Sequence, residues 1–157
     1  MKSVLISIQP KWCELIASGN KKIEARKTKP KLETPFKCYI YATKSKNPFP
    51  LQLWIPHDLT AGKAFRYTCG GKVIGEFTCD RIIEFENSFF DEKFRDVADF
   101  ACIGFEELAI YLNGRDFGFG WHISDLVIYE MPKELSDFGL SRPPQSWCYV
   151  EELEETK

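Results

Sequence analysis

Three charged side chains of different chemistry occur close together near the start of the chain, as Lys21, Glu24 and Arg26. Glu24 offers a carboxylate that can accept from an amino group, and the planar guanidinium of Arg26 can donate two parallel bonds to a carbonyl or phosphate. An acid beside two cations therefore suits a ligand whose edge carries both donors and acceptors. The same spacing also occurs in ordinary solvated ion pairs of little energetic weight, so the pattern by itself leaves both interpretations open.

A strand and a helix are predicted directly before this cluster. Residues 3–8 (SVLISI) form a short apolar run that predicts a buried strand. Pro10 suits the first turn of a following helix, because the amide that it lacks would be unpaired there. Trp12 begins an apolar spacing typical of a helix, and Gly19 can take the positive φ that reverses the chain.

A second strand is predicted from Lys22, and its alternation places Glu24 and Arg26 on one face with Lys21 just ahead of them. Gly75 lies inside a later strand pattern, where it indicates a bulge or a close backbone approach. Residues 44–71 have weak periodicity and are predicted to form a long excursion over the fold. The remaining strands are predicted at 37–43, 72–85, 121–131 and 146–151, and helices at 91–101 and 105–112.

About six strands with two or three helices, not in regular β-α-β alternation, favour a mixed, barrel-like α+β domain. The chain has 157 residues, of which 44% are hydrophobic, and no linker divides it. That is sufficient for one packed core. We therefore predict a single domain at residues 1–152, followed by a solvated acidic tail at 153–157.

Charge is unevenly distributed along the chain. The whole sequence has 21 basic and 23 acidic side chains, whereas its first 50 residues hold eleven Lys or Arg against three Glu. Binding along an extended nucleic-acid backbone normally shows as a basic surplus. The balance argues against a long nucleic acid and favours a short or single-nucleotide ligand.

The six cysteines form no Cys-x-x-Cys pair, and the N-terminal residues lack the pattern of a secretory signal. These features predict a reduced, cytoplasmic protein, and no apolar run is long enough to span a membrane. Metal-ligand spacing, phosphate loops and dinucleotide signatures are absent from the sequence, so we predict neither a metal nor a cofactor. The oligomeric state stays open.

The opening segment SIQPKWCELIASGNKKIEAR resembles the start of activating-signal-cointegrator homology (ASCH) domains, with a strand, one helix and then Gly-x-Lys-x-x-Glu-x-Arg. The later segments IYATK, GKVIGEF, WHISDLVIYEMPKEL and RPPQSWCYVEE resemble further parts of a phage or bacterial subgroup. The resemblance covers most of the chain. It implies a PUA-like mixed β-barrel of about six strands with two or three flanking helices, and a cleft that holds RNA or a modified nucleobase.

Further ligand contacts are expected near the ends of the predicted elements. Trp12 and Trp54 could stack on a base, although a Trp in so aromatic a chain is more often core. Tyr41, Thr43 and Lys44 end a strand near the cleft and could position a phosphate. The complete predicted ligand-binding set is Pro10, Trp12, Gly19, Lys21, Glu24, Arg26, Tyr41, Thr43, Lys44 and Trp54.

Three functions remain in competition. The first is binding of RNA or a small nucleotide-like ligand. On this hypothesis, Lys21→Ala and Arg26→Ala should weaken ligand binding, and they should lower thermal stability no more than a surface substitution does. The second is a metal-independent hydrolase of a modified nucleoside or of RNA, with Lys21 and Glu24 as catalytic residues. Some small family members resemble amidohydrolases that use a Lys, a Thr and a later acid; here Glu24 stands at the Thr position, and the acid aligns near Ala101–Cys102. The third is an interaction protein with a vestigial cleft.

Overall fold

The computed structural model describes residues 1–44, 52–58, 63–68 and 70–154, and for 52–58 and 63–68 it describes the backbone alone. These residues form eight strands, three α-helices and one short 3-10 helix at Leu135–Phe138. The strands are β1 (Lys2–Ile8), β2 (Ile23–Arg26), β3 (Phe36–Ala42), β4 (Gln52–Asp58), β5 (Lys63–Thr68), β6 (Lys72–Glu86), β7 (Phe117–Lys133) and β8 (Trp147–Glu151). The helices are α1 (Pro10–Ala17), α2 (Glu92–Phe100) and α3 (Phe105–Leu112).

Within the described residues, six strands form one mixed sheet in the order β2-β7-β6-β3-β1-β8. The pair β1–β3 is parallel, and the other pairs of this sheet are antiparallel. This arrangement confirms the predicted α+β class with about six strands and flanking helices. The predicted excursion at 44–71 is more regular than expected, because β4 and β5 pair there as a separate antiparallel sheet that lies against α1.

One hydrophobic core lies between α1 and the sheet. Cys13 and Ile16 on the inner face of α1 are buried against apolar side chains from β1, β3 and β6, such as Ile6 and Ile40. Trp121 on β7 is fully buried in the same cluster. The apolar spacing that predicted this helix therefore corresponds to the face that it buries.

A second core lies on the opposite face of β2. Ile23 and Ala25 pack against α2 and α3, in a cluster that includes Phe94 and Leu108. Asp91 caps α2 by accepting from the amide of Lys93, which satisfies one of the free amides at a helix start. Because side chains alternate along a strand, this packing directs Glu24 and Arg26 to the other face, toward α1 and β1.

The long strands β6 and β7 change register at Gly75, as the sequence predicted. A Cβ atom built on Gly75 would lie 2.4 Å from the carbonyl oxygen of Val127. Two backbones approach there more closely than any side chain allows. A bulge of this kind ordinarily bends a strand and increases its twist.

Side chains join the two edge strands of this sheet, β2 and β8, across the gap between them. Arg26 Nη1 donates to Ser146 Oγ at 3.2 Å, just before β8. Trp147 Nε1 donates to Thr28 Oγ1 at 3.0 Å, just after β2. Within the described part of the chain the sheet is open between β2 and β8, with no backbone ladder, and these side-chain bonds span the gap, which we call the seam.

The C-terminal end of the described chain is bound to β3. The amide of Leu153 donates to the hydroxyl of Tyr39 at 3.0 Å, and Glu152 forms an ion pair with Lys37 at 3.0 Å.

Among the described residues, no helix is both long enough and apolar enough to cross a membrane.

Candidate functional site

Lys21 is held between the end of α1 and the end of α2. Its ammonium group donates to the carbonyl oxygen of Ala101, the C-cap residue of α2, at 2.7 Å, and it lies 4.8 Å from the centre of the Trp12 ring. The residue is 4% exposed. A helix C-terminus carries partial negative charge, so it favours a cation at this point. The short turn after Gly19 (φ +84°) brings Lys21 there.

Glu24 projects from β2 between the two cations of the motif. Its Oε1 accepts from Arg26 Nε at 3.2 Å, and its Oε2 lies 3.7 Å from Lys21 Nζ. Oε2 is buried and has no hydrogen-bond partner among the described residues. A buried carboxylate oxygen without a donor is energetically unfavourable. Within the described residues, Oε2 is the only buried polar atom of the Lys21–Glu24–Arg26 cluster that has no hydrogen-bond partner.

Arg26 binds three residues at once. Besides Glu24, it donates through Nη2 to the carbonyl of Ser7 at 2.7 Å and through Nη1 to the hydroxyl of Ser146 at 3.2 Å. Three of its five N–H groups are used in this way, which leaves two for other acceptors. The same side chain thus links β2 to β1 and to the turn before β8, and it also lines the candidate site.

A cavity of about 470 Å³ opens over these side chains. Its wall includes Trp12 and the motif residues Lys21, Glu24 and Arg26. We call it the motif cavity. Three cations and two acids line it, the additional ones being Lys11 and Glu107. The cavity is therefore mildly basic and offers donors and acceptors within a small space.

The structure brings most of the predicted ligand-binding residues to this region. Thr43 lines the motif cavity with Trp12 and the three charged residues, whereas Tyr41 and Lys44 line a neighbouring cavity. Pro10 and Gly19 line neither of the two; Pro10 is buried at the start of α1, and Gly19 provides the turn after it. The Trp54 side chain lies outside the described residues.

Several residues of the cavity wall were missed by the sequence analysis. Gln9 precedes α1, Lys11 lies on it, and Glu107 and Tyr111 lie on α3. Burial raises the pKa of Tyr111, so its hydroxyl stays a neutral donor over a wide pH range. The spacing of Glu107 and Tyr111 puts them on one helix face, but nothing in the sequence shows that this face meets β2.

The position of the later acid in the amidohydrolase pattern is occupied by a different group in this structure. Where that pattern aligns an acid near Ala101–Cys102, the chain instead presents the Ala101 carbonyl oxygen to Lys21. The acid on the cavity wall is Glu107, six residues farther along the chain than Ala101. The cavity thus contains Lys21 and two carboxylates, but Glu24 occupies the position at which the pattern has its threonine.

The two histidines of the sequence are not part of this site as described. His122 on β7 is bound through Nδ1 to Asp80 at 2.6 Å, and the side chain of His57 lies outside the described residues. Within residues 1–44 and 70–154, no group of three His, Cys, Asp or Glu side chains is arranged to hold a metal ion.

Comparison with known proteins identifies the fold. No family model and no curated protein matches the sequence. The crystal structure of ASCH from Zymomonas mobilis is similar, with a TM-score of 0.69 and 18% identity, over 96% of this chain and 88% of that one. A serine-to-alanine variant of that protein gives the same TM-score and identity over 96% and 89%. A tyrosine-to-phenylalanine variant gives 0.67 and 18% over 97% and 92%. The chain therefore has the ASCH fold, as its sequence motifs predicted.

Proposed function

We propose that this protein binds a nucleobase of RNA or of a modified nucleoside in the motif cavity. The observation that carries the proposal is the buried carboxylate of Glu24: its Oε2 has no hydrogen-bond donor among the described residues, and the residue itself lines the cavity. A ligand with an N–H group would supply the missing hydrogen bond. Because the oxygen is buried, that bond would form away from water and would be strong.

The groups around Glu24 favour an edge that also carries an acceptor. Arg26 retains two N–H groups, and Lys21 retains donors beyond the one bound to Ala101. A cytosine edge, with an amino donor beside a ring-nitrogen acceptor, matches this pairing of carboxylate and cation. The site would thus recognise the base by its polar edge.

Shape supports the same class of ligand. A volume of about 470 Å³ is within the usual range for small-molecule sites and fits one nucleoside. Trp12 presents a ring on the wall, and RNA-binding domains commonly stack unpaired bases on such rings. Lys11, which is exposed, lies 4.6 Å from the ring centre and can move aside.

The proposal is tested by isothermal titration of cytidine, acetylated cytidine, methylated cytidine and uridine against the protein. At least one cytidine should bind, and Glu24→Gln should weaken that binding roughly tenfold or more, since the amide removes a charge-assisted acceptor. Glu106→Gln is the matched control, because Glu106 precedes Glu107 on α3 but does not line the cavity. Equal affinity in Glu24→Gln and wild type would refute the proposal, as would a panel without any binding.

A hydrolase of a modified nucleoside is a second candidate, supported by the position of Glu107. Lys21, Glu24 and Glu107 all line the cavity, so a lysine and two acids face any bound nucleoside. Such a set can transfer protons to and from a bound amide. Mass spectrometry on mixtures with acetylated cytidine distinguishes the candidates: release of acetate that is lost in Glu107→Gln indicates catalysis, whereas ligand recovered unchanged indicates binding alone.

A further inference from the structure

A second cavity, of about 620 Å³, lies beside the motif cavity. It is formed where β3 ends, where β6 begins and where the chain turns from residue 140 to residue 145. Tyr41 and Lys44 at the end of β3 line it, as does Arg142 in this turn. We call it the Arg142 cavity.

The two cavities share part of their walls. Ser7, Thr43 and Gln145 line both of them. The Ser7 hydroxyl donates to the carbonyl of Pro144 at 2.7 Å, and the Ser7 amide donates to the carbonyl of Ser146 at 2.9 Å. The turn that bears Arg142 is therefore fastened to the end of β1, and the two cavities keep a fixed relation. A ligand longer than one nucleoside can pass from one to the other over this shared wall.

Two cations in the Arg142 cavity are available to a ligand. Lys44 and Arg142 form no ion pair with any residue in the described part of the chain. The Lys44 stem packs on Gly71, where a Cβ atom would lie 3.2 Å from Lys44 Cε. Gly71 has a φ of +80° as well, so both its conformation and its lack of a side chain let the lysine lie there.

The carboxylate on the same wall is already neutralised. Glu134 forms an ion pair with Lys72, and its backbone amide donates to the Asp137 carboxylate at the start of the short 3-10 helix. Hydroxyl and amide groups from Ser136, Ser141 and Gln145 supply further polar contacts. The free charge of the cavity is therefore positive, which favours an anion.

We propose that the Arg142 cavity binds the phosphate and the adjoining nucleotide of an oligonucleotide whose first base occupies the motif cavity. The inference rests on the proposed function, and it extends the ligand from a nucleoside to single-stranded RNA of at least two nucleotides. A guanidinium and an ammonium that line one cavity suit a phosphodiester as ligand. Specificity would then come from the motif cavity and most of the salt dependence from the Arg142 cavity.

The test compares cytidine with the dinucleotide CpC in wild type and in the double variant Lys44→Ala, Arg142→Ala. CpC should bind wild type more tightly than cytidine does, and the double variant should lose roughly 10- to 100-fold of its CpC affinity while keeping its cytidine affinity. The salt slope for CpC should fall by about 0.7, the value for one phosphate contact on a single strand. The variant Lys93→Ala, Arg95→Ala removes the same charges from exposed positions on α2 and should change neither affinity.

The outcomes separate this inference from the proposed function. Cytidine binding that needs Glu24, with CpC no tighter and insensitive to the double substitution, would overturn the second subsite and leave the first intact. CpC binding that needs Lys44 and Arg142 but is unchanged in Glu24→Gln would support the phosphate subsite and refute the base site. An equal loss of CpC affinity in the α2 control would show that only net charge matters, which would also overturn the subsite.

Discussion

At the scale of single residues, the motif combines a structural group with a functional one. Arg26 is bound on three sides, to Glu24, Ser7 and Ser146, whereas Glu24 keeps one oxygen without a donor. Both are more than nine-tenths buried. Burial is the fact that the sequence could not provide, since Glu-x-Arg on a strand is usually a solvated pair. It changes what substitutions at these positions should do.

Arg26→Ala is now expected to lower the free energy of unfolding by about 3 kcal/mol or more, because it leaves a buried carboxylate with one cation fewer and opens the seam. This differs from the surface-like effect that the sequence pattern suggested. Arg142→Ala removes an exposed arginine and should change stability by less than about 0.5 kcal/mol. Urea unfolding of both variants measures the difference, and equal midpoints would contradict the structural role of Arg26.

The Asp80–His122 pair predicts a dependence of stability on pH. Partial burial is the largest single influence and acts to raise the pKa of Asp80, but the hydrogen bond from His122, a backbone hydrogen bond and the charges of His122 and Arg81 together lower that pKa below its ordinary value of 3.8. The folded-state pKa is depressed, so the stabilisation is present above pH 3.8 and is lost as the pH falls through the folded-state value. Asp80→Asn should therefore lower the melting temperature more at pH 5.5 than at pH 2.5, whereas Asp96→Asn on α2 should show no such difference. A deficit in Asp80→Asn that is equally large at pH 2.5 would argue against the pair.

At the scale of elements, periodicity predicted more than tertiary arrangement. The strands β1, β2, β3 and β6 and the three helices were predicted within a few residues, because their apolar positions recur with the period of the structure that they form. The pairing of β4 with β5 was not predicted, since residues 52–58 and 63–68 lack clear alternation. The start of β7 at Phe117 was also missed, because Gly118 and Gly120 weaken its pattern. Those glycines are required by packing, as a Cβ on Gly118 would lie 2.6 Å from the Phe85 ring.

The bend between β6 and β7 gives a prediction at this scale. Gly75→Ala should destabilise the fold by about 1–3 kcal/mol, because the new methyl group would meet the Val127 carbonyl and one strand must shift. Gly104→Ala serves as a comparison, since it adds a methyl group with nothing within 4 Å and should cost less than about 1 kcal/mol at its N-cap position. Thermal unfolding of both variants measures their losses of stability. Equal losses in Gly75→Ala and Gly104→Ala would contradict the close backbone approach at Gly75.

At the scale of the whole molecule, the motif cavity lies at the seam between the edge strands β2 and β8. The motif cavity contains Arg26 from β2 and Ser7 from β1, and the turn before β8 contributes Gln145. A ligand that binds there contacts both sides of the seam and binds the folded state alone. Its binding should therefore raise the melting temperature in proportion to the logarithm of its concentration above Kd. The sequence placed Lys21, Glu24 and Arg26 together but could not show that α3 and the turn before β8 complete the wall.

A substitution that weakens the seam outside the cavity should separate stability from ligand binding. Thr28→Val removes the hydroxyl that accepts from Trp147 and keeps the volume of the side chain. We expect a small loss of stability, about 1 kcal/mol, and a similar rise in melting temperature on adding cytidine, since Thr28 does not line the cavity. Differential scanning fluorimetry with and without cytidine measures both quantities. Loss of the ligand-induced shift in Thr28→Val would mean that the seam itself is the binding surface.

The most direct measurement is a crystal structure of the protein with the cytidine that binds best. The account predicts a base in the motif cavity with one of its N–H groups about 2.7–3.2 Å from Glu24 Oε2 and an acceptor facing Arg26 or Lys21. A ligand bound at another place, or a base in the cavity that leaves Glu24 Oε2 without a donor, would contradict it.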